Sequence, residues 1–437
     1  NYRADIVDRN GNYLVKTVST IDVGIKPKDV IDKKHLLLML NYIYGNKNIS
    51  KIEKKLKKNK FFYLEKNIST KRYKELMLLG DKSILSEESL IRLYPQENLF
   101  SHIIGQIDDD NNGISGIEKS FDTELKKINE PLKLTLDVDI QFLIREELIR
   151  YQKIFRAKGS AAILMDVNNG DIISMVSLPD FNLNKRENIT DDNYINKVTK
   201  GVYELGSVFK LFTFTAGLDE GVIKTDTIFL DLPKSITCAG FPIREYDEEM
   251  PSDITAEQIL IRSGNIGSVR IAQRVEKLEK DRFKLFLEKI GVLSQIDFDI
   301  EEVATQKEFS LGKCRLATAS FGHGVSTTIL QLAKGYSIIA NGGFDVSPRL
   351  IKKKINQLES RKRILKEGIS KKVIPILRKI VSTEEGTAKQ ANVKGYEVAG
   401  KTGTAQQPID GRYSNVKINT FASIFPSSKP KFVFIVM

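Results

Sequence analysis

The sequence has few of the residues that bind metals or build disulfide frameworks. Its 437 residues include two cysteines, Cys238 and Cys314, and three histidines. The two cysteines could form one disulfide, but they cannot build the dense framework of a small secreted domain. Two thiols and three scattered imidazoles also make a poor metal site. We therefore expect no metal and no cofactor.

Long hydrophobic runs are missing as well. A helix that crosses a bilayer needs about 18–20 consecutive apolar residues. The longest candidate, residues 36–44, is short and interrupted by polar side chains. The chain opens without an initiator methionine and ends inside a predicted strand at 431–437. We therefore expect a fragment of a longer protein, whose membrane segments this stretch does not reveal.

The charge is unbalanced toward the positive side. The formal net charge is +12, and its densest block is the lysine-rich stretch 51–60. Such a block could contact nucleic acid or anionic lipid headgroups. No nucleic-acid motif and no base-stacking aromatic pattern accompanies it, so the pattern favours a solvated helix and no nucleic-acid partner. The hydrophobic content of 41% is typical of a folded protein, and the length allows two or three domains.

The order of strand and helix patterns predicts the fold class. After a boundary near 129–131, a short strand at 134–136 precedes a helix that Asp137 or Asp139 caps and that runs to about residue 155. An Asn168-Asn169-Gly170 turn joins two β-prone runs, 160–167 and 171–177. Helical patterns then cover 207–218, 255–275, 282–290 and 328–341, and strand patterns return at 396–404, 420–425 and 431–437. This order predicts an α+β domain with a five-stranded antiparallel sheet flanked by helices.

Three short motifs follow in the middle and last thirds of the chain, and the first is Ser207-x-x-Lys210. That spacing alone is a weak signal, because it occurs three more times in this lysine-rich sequence. At Ser207, however, a glycine precedes and apolar residues follow, as in a buried helix. Residues three apart share a helix face, so Lys210 can lie beside the Ser207 hydroxyl, where the helix N-terminus favours a developing anion. The alternative is a helix-capping serine and a solvated lysine.

A serine nucleophile needs an activating base, because its hydroxyl is scarcely ionised at neutral pH. A lysine in a dry pocket can have its pKa lowered by burial and by a second cation, and can then accept the proton. Lys210 is the candidate base, and Lys401 is the candidate second cation.

The second and third motifs each occur once in the sequence, as Ser263-x-Asn265 and Lys401-Thr402-Gly403. Ser263 could relay a proton between Lys210 and an amine, and the Asn265 amide could bind both the C=O and the N–H of a peptide. The alternative for this motif is a helix-ending turn.

On a strand edge, Gly403 would let a substrate backbone approach, while Lys401 and Thr402 face a carboxylate. A peptide along this edge, including Thr404, would be bound by β-augmentation. The alternative is a plain strand with surface polar residues. The occurrence of three motifs in this order favours a site that carries out acyl transfer.

These motifs resemble those of the serine penicillin-recognising enzymes. Over essentially its whole length, the chain is similar to the class B penicillin-binding proteins, and more to the division-specific type (penicillin-binding protein 3) than to the elongation type. The segment 203–207, which leads to Ser207, is similar to the family's segment before its nucleophile, although Leu205 stands where a proline is more usual. Further likenesses are Phe321-Gly322-His323-Gly324 and, upstream, residues 3–11, 92–95, 102–105 and 113–118.

The resemblance implies a non-catalytic, dimerisation-like pedestal over 1–132 and a C-terminally truncated transpeptidase domain over 133–437. It implies a peptidoglycan D,D-transpeptidase that acts in septal wall synthesis through an acyl-Ser207 intermediate, with the N–H groups of Ser207 and Thr404 binding the oxyanion. The expected ligands are D-Ala-D-Ala stem peptides and β-lactams. The expected partners are a membrane-embedded glycosyltransferase and divisome proteins.

It also implies a place at the bacterial inner membrane, with the anchor outside this fragment and the catalytic domain in the periplasm. Three other functions remain open: a β-lactamase, a D,D-carboxypeptidase, and a non-catalytic penicillin sensor or scaffold. A class A β-lactamase would need a Glu-x-x-x-Asn pattern after the second motif, and the stretch 297–302 has no such Asn.

Overall fold

The structure is a computed structural model that describes residues 2–185, 190–305, 309, 312, 314–352, 361–409 and 412–437. The chain forms two compact units that interleave along the sequence. The first contains Asn1–Ile6, Tyr13–Pro95 and Thr123–Pro131, and the second contains Val7–Asn12, Gln96–Asp122 and Leu132–Met437. Because the stretch 96–122 groups with the second unit, the division into domains at residue 132 stays a prediction.

The strands in the described residues are β1 (Ile6–Val7), β2 (Tyr13–Ile25), β3 (Phe62–Ile68), β4 (Ile84–Leu93), β5 (Leu132–Lys133), β6 (Ser160–Asp166), β7 (Ile172–Leu178), β8 (Ile228–Phe229), β9 (Ser235–Cys238), β10 (Phe241–Arg244), β11 (Ile254–Thr255), β12 (Ala399–Ile409), β13 (Arg412–Phe425) and β14 (Phe432–Val436).

The α-helices are α1 (Lys33–Tyr44), α2 (Asn46–Lys57), α3 (Thr70–Met77), α4 (Ser101–Ile104), α5 (Gly116–Ser120), α6 (Asp122–Leu125), α7 (Val138–Phe155), α8 (Asp191–Tyr194), α9 (Lys210–Asp219), α10 (Ala256–Ile261), α11 (Asn265–Glu276), α12 (Arg282–Lys289), α13 (Arg315–Ala319), α14 (Ile329–Ala340) and α15 (Ile369–Ser382). Short 3-10 helices cover Pro27–Asp29, Gly206–Phe209 and Lys389–Ala391. Among the helices of the described ranges, none has both the length and the apolar character needed to cross a bilayer.

The first unit is built around the long strand β2, which pairs antiparallel with β3 and with β4. Helices α1, α2 and α3 bury apolar side chains in the same core. In α2, Ile52 and Leu56 face this core, whereas most of its lysines are exposed. The lysine-rich stretch therefore forms an amphipathic helix whose charges are solvated, as the sequence predicted.

The second unit contains the predicted antiparallel five-stranded sheet, in the order β12-β13-β14-β6-β7, so the predicted fold class is confirmed. Helix α7 covers one face by packing Leu148 against Ala162 and Val176. Alternate residues of a strand point to opposite faces, and Ile163 and Ile435 are fully buried on the other face. Helix α14 contacts β6, β13 and β14, and α15 contacts β12.

The sequence located the strands of this sheet but not their lengths. The hairpin between β6 and β7 forms as predicted, although its loop is longer than two residues. In this loop Gly170 takes a positive φ, whereas the two asparagines do not. The last hairpin is also longer than predicted, because β12 runs to Ile409 and β13 already begins at Arg412. The added strand segments, 405–409 and 412–419, lack the continuous alternation of apolar and polar residues from which the strands were predicted.

The predicted helix over 255–275 is interrupted at the second motif. Helix α10 begins with a capping box at Thr255 and ends before Ser263, whose φ is +63°. Helix α11 then begins at Asn265. The helical pattern over 255–275 therefore corresponds to two helices, which are separated where residues of the motif take non-helical dihedrals.

The two cysteines form a disulfide, with Cα atoms 5.6 Å apart and a sequence separation of 76 positions. Cys238 ends β9, and Cys314 lies directly before α13. The disulfide therefore links the β9–β10 hairpin to the segment that leads into the loop at Gly322. The sequence analysis allowed this pairing but did not predict it, because nothing in the sequence shows that the two segments lie close together in the fold.

Candidate active site

The first motif lies at the junction of a 3-10 turn and a buried helix. The turn covers Gly206–Phe209 and passes directly into α9, whose residues are all buried. The Tyr336 hydroxyl, from α14, donates a hydrogen bond of 2.8 Å to the Val208 carbonyl. The rings of Tyr336 and Phe212 also pack edge to face. Helix α14 therefore holds the start of α9 in place through the Tyr336 side chain. Ser207 lies on the turn and is partly exposed.

Glycines bring the turn into direct contact with strand β12. A Cβ atom on Gly206 would lie 2.3 Å from the Thr404 carbonyl oxygen, and one on Gly403 would lie 2.4 Å from the Leu205 carbonyl oxygen. The loop at Gly322 is equally close, because a Cβ there would lie 2.0 Å from the Gly206 carbonyl oxygen. No side chain fits at these positions. The Ser207 turn is therefore seated against the third motif, backbone to backbone.

The amine of Lys210 is surrounded by the second motif. Lys210 is 2% exposed, and its Nζ lies 2.7 Å from Asn265 Oδ1 and 3.1 Å from Ser263 Oγ. It also donates to the Ser263 carbonyl oxygen. The left-handed backbone at Ser263 turns both its carbonyl and its hydroxyl toward this amine. Two predicted motifs thus meet at one nitrogen atom.

The third motif contributes a second buried amine to the same cluster. Lys401 is 0% exposed, and its Nζ donates to Ser263 Oγ at 2.9 Å and to the Thr402 carbonyl oxygen at 3.1 Å. The Ser263 hydroxyl therefore lies between the Lys210 and Lys401 amines. The sequence analysis named Lys401 as the candidate second cation beside Lys210, and the structure places both amines at the Ser263 hydroxyl. The contact of Lys401 with a substrate carboxylate stays a prediction.

Burial weakens the proton affinity of both amines. Burial lowers the pKa of Lys210 to about 7, and the Glu245 carboxylate opposes this effect. Burial and then the charge of Lys210 lower the pKa of Lys401 well below its usual range. Two ammonium groups that share one hydroxyl in a dry cavity repel each other. With a pKa of about 7, the Lys210 amine is neutral in a substantial fraction of molecules at neutral pH and can then accept a proton.

The edge strand presents the rest of the third motif. β12 is the terminal strand of the sheet. Along it Gly403 is buried, Thr402 is half-buried and Thr404 is exposed. The hydroxyl groups of Thr402 and Thr387 are 3.1 Å apart. This edge offers a backbone and threonine hydroxyl groups to a peptide, beside the Ser207 turn.

Sequence reasoning missed the residues that hold Asn265. The Asn265 Nδ2 donates to the Arg244 carbonyl oxygen at 2.7 Å. The carboxylate of Glu245 accepts the N–H groups of Asn265 and Ile266 at 2.6 and 2.8 Å. Arg244 ends the β9–β10 hairpin and Glu245 follows it, about twenty residues before Asn265. No spacing or composition signal in the sequence marks them.

The arrangement contains the parts of a serine acyl-transfer site. It has a serine at a helix start, a buried neutral amine, a hydroxyl that connects two amines, and an open strand edge. In the part of the chain that the structure describes, no three His, Cys, Asp or Glu side chains are grouped to hold a metal ion.

Comparisons with known proteins identify the family of the chain. The model of the penicillin binding protein transpeptidase domain matches residues 160–437, and that of the penicillin-binding protein dimerisation domain matches residues 1–138. The probable peptidoglycan D,D-transpeptidase FtsI of Caulobacter vibrioides is 28% identical over 98% of this chain and 73% of its own length. Stage V sporulation protein D of Bacillus subtilis is 28% identical over 99% of this chain and 73% of its own length.

The peptidoglycan D,D-transpeptidase FtsI of Escherichia coli K12 is 27% identical over 100% of this chain and 78% of its own length. The crystal structure of penicillin binding protein 3 from Mycobacterium tuberculosis, complexed with aztreonam, superposes with a TM-score of 0.76 at 24% identity. That match covers 100% of this chain and 89% of the other, and it shows that the two share a fold. The chain therefore belongs to the class B penicillin-binding proteins of the division type, a family of serine-type D,D-transpeptidases, and combines their dimerisation and transpeptidase domains.

Proposed function

We propose that this protein cross-links peptidoglycan stem peptides through an ester on Ser207, and that penicillins acylate the same hydroxyl. The observation that carries the proposal is the hydrogen-bonded cluster of Lys210, Ser263, Asn265 and Lys401. It lies in the unit in which the Ser207 turn packs against strand β12.

In the first half-reaction, the Ser207 oxygen attacks the carbonyl carbon between the two D-alanines of a stem peptide. Neutral Lys210 takes the hydroxyl proton, because two of its hydrogens can bond to the Ser263 carbonyl and Asn265 while its lone pair stays available. The C–N bond then breaks, and the leaving D-Ala nitrogen receives a proton through the Ser263 hydroxyl. The result is an ester on Ser207 and free D-Ala.

In the second half-reaction, the side-chain amine of another stem peptide attacks the ester carbonyl. Its proton passes through Ser263 to Lys210, and the Ser207 oxygen leaves and takes a proton from Lys210. The backbone N–H groups of Ser207 and Thr404 would bind the oxyanion in both steps. Loss of one such donor typically costs about 3 kcal/mol of barrier.

Two acidic residues of the stretch 297–302, Asp299 and Glu302, bind backbone N–H groups elsewhere, which argues against a hydrolase that activates water with either carboxylate. Asp299 accepts the backbone N–H groups of Leu350 and Ile351 at 2.5 and 3.1 Å. Glu302 accepts the N–H of Gly116 at 2.9 Å. These contacts support a long-lived acyl-enzyme over a β-lactamase. A D,D-carboxypeptidase differs only in using water in place of the amine.

The direct test is to map the acyl group. After incubation with a fluorescent penicillin, we expect a stoichiometric, slowly lost adduct on the proteolytic peptide that contains Ser207, as read by mass spectrometry. With a D-Ala-D-Ala peptide and an amine acceptor, the amide product should exceed the hydrolysis product. An adduct on another serine contradicts the nucleophile. Rapid nitrocefin turnover would indicate a β-lactamase, and absence of any adduct would indicate a scaffold.

We further propose that the chain is divided into a pedestal over 1–132 and a catalytic domain over 133–437, and that it acts in septal wall synthesis. Its partners would be a membrane-embedded glycosyltransferase and divisome proteins, at the inner membrane with the catalytic domain in the periplasm. Membership of the division type supports this role. A fluorescent fusion of the whole protein should concentrate at the constriction site of dividing cells; uniform labelling of the lateral wall would contradict it.

A further inference from the structure

The second motif is held in place by a carboxylate that belongs to none of the three motifs. Glu245 receives two backbone N–H groups at the start of α11, from Asn265 at 2.6 Å and from Ile266 at 2.8 Å. The next carbonyl upstream, that of Arg244, receives the Asn265 side-chain amide at 2.7 Å. Backbone and side chain of Asn265 are therefore both fixed by one two-residue segment at the end of the β9–β10 hairpin.

We propose that Glu245 is a positioning residue for the acylation step: its carboxylate fixes Asn265, and Asn265 in turn fixes the Lys210 amine. The proposal rests on the proposed function, because it assigns Lys210 the part of the base. Glu245 is not a catalytic residue in this scheme, since its hydrogen bonds go to the backbone of the motif.

The geometry explains why the contact matters for Lys210. The Arg244 carbonyl takes the Nδ2 side of the Asn265 amide, so Oδ1 must point to Lys210, which it reaches at 2.7 Å. The carboxylate of Glu245 meets two free N–H groups at the positive end of a 12-residue helix, where an anion is stabilised. Without that carboxylate, the start of α11 loses its anchor, and the backbone that carries the Asn265 side chain can shift. A displacement of about 1 Å in such a group can cost about a hundredfold in rate.

Glu245 also acts on Lys210 through its charge. Among the described residues, the charged and titratable groups that interact with Lys210 are Lys401 on β12, His323 on the loop after α13, and Glu245 after β10. Glu245 raises the pKa of Lys210 against the larger effect of burial. Removal of this negative charge should therefore lower the Lys210 pKa further below about 7. The neutral base would then persist to lower pH.

The test measures the acylation rate by a fluorescent penicillin from pH 5 to 9. For Glu245→Gln we expect a plateau lower by about ten- to hundredfold, together with an acid limb moved to lower pH. Glu245→Asp keeps the charge but shortens the side chain, so its plateau should fall while its acid limb stays in place. A matched control is Asp247→Asn, because Asp247 lies on the same segment but pairs with Arg262 at 2.7 Å. It should keep both the plateau and the limb.

The pH limb separates positioning from simple support of the fold. An unchanged plateau in Glu245→Gln, or a lower plateau with an unmoved acid limb, would overturn the proposal. If Glu245→Gln does not fold, Glu245→Asp decides, and a wild-type plateau in that variant overturns the proposal. Failure of the proposed function looks different, because the wild-type protein would then carry no adduct on Ser207.

Discussion

Ser207→Ala should abolish acylation by penicillins and transpeptidation of stem peptides. Without the hydroxyl no ester can form, and loss of a serine nucleophile in other acyl-transfer enzymes lowers turnover about a millionfold. The variant should still fold, because the side chain is partly exposed on a turn whose packing comes from its neighbours. Reversible, noncovalent binding of the penicillin should therefore survive and be measurable by calorimetry.

The chain provides its own control for this experiment. Ser414-x-x-Lys417 has the same spacing, but it lies in β13, where the Ser414 hydroxyl donates to the Gln407 carbonyl at 2.8 Å. Ser414→Ala should label with fluorescent penicillin at the wild-type rate. Residual covalent labelling of Ser207→Ala, or loss of labelling in Ser414→Ala, would contradict the assignment of the nucleophile.

The difference between the two Ser-x-x-Lys segments, 207–210 and 414–417, shows what the sequence could predict. Apolar residues after Ser207 indicated a buried helix, and the structure has α9 there. The order of strand and helix patterns also predicted the antiparallel sheet, because its inner strands alternate or are wholly apolar. The hydrophobic pattern of each helix or strand is a local property, so each element can be predicted independently of the others.

What the sequence could not predict depends on contacts between distant segments. The sequence named Lys401 as the second cation, but its contact with the Ser263 hydroxyl depends on the face of the sheet to which its side chain points. A shift of one residue in the pairing of β12 would reverse that face. The role proposed for Glu245 requires that the β9–β10 hairpin lies over the start of α11. The disulfide between Cys238 and Cys314 requires a similar approach. Neither approach leaves a periodic signal in either segment.

The substitution Lys210→Arg is the sharpest test of the chemistry proposed for the amine cluster. Arginine keeps a positive charge and hydrogen-bond donors, but its guanidinium group stays protonated and cannot accept the Ser207 proton. If Lys210 acts as a base, acylation should fall by about a thousand- to ten-thousandfold, as in Lys210→Ala. If the lysine only supplies charge to Ser263 and Asn265, the arginine variant should retain most of its activity. Lys417 is the exposed lysine of the Ser414-x-x-Lys417 segment, so Lys417→Arg should be acylated at the wild-type rate.

The pH dependence of the wild-type rate gives the same test without a mutation. Because burial lowers the pKa of Lys210 to about 7, the neutral amine dominates above that pH and becomes scarce below it. The acylation rate should therefore fall about tenfold for each pH unit below about 7 and level off above it. An ordinary, solvent-exposed lysine would place this limb above pH 10. A rate that stays flat from pH 5 to 8 would mean that the base is not this amine. The proton of Ser207 would then have to pass to a group other than Lys210. The proposed proton transfer through the Ser263 hydroxyl would also lose its basis.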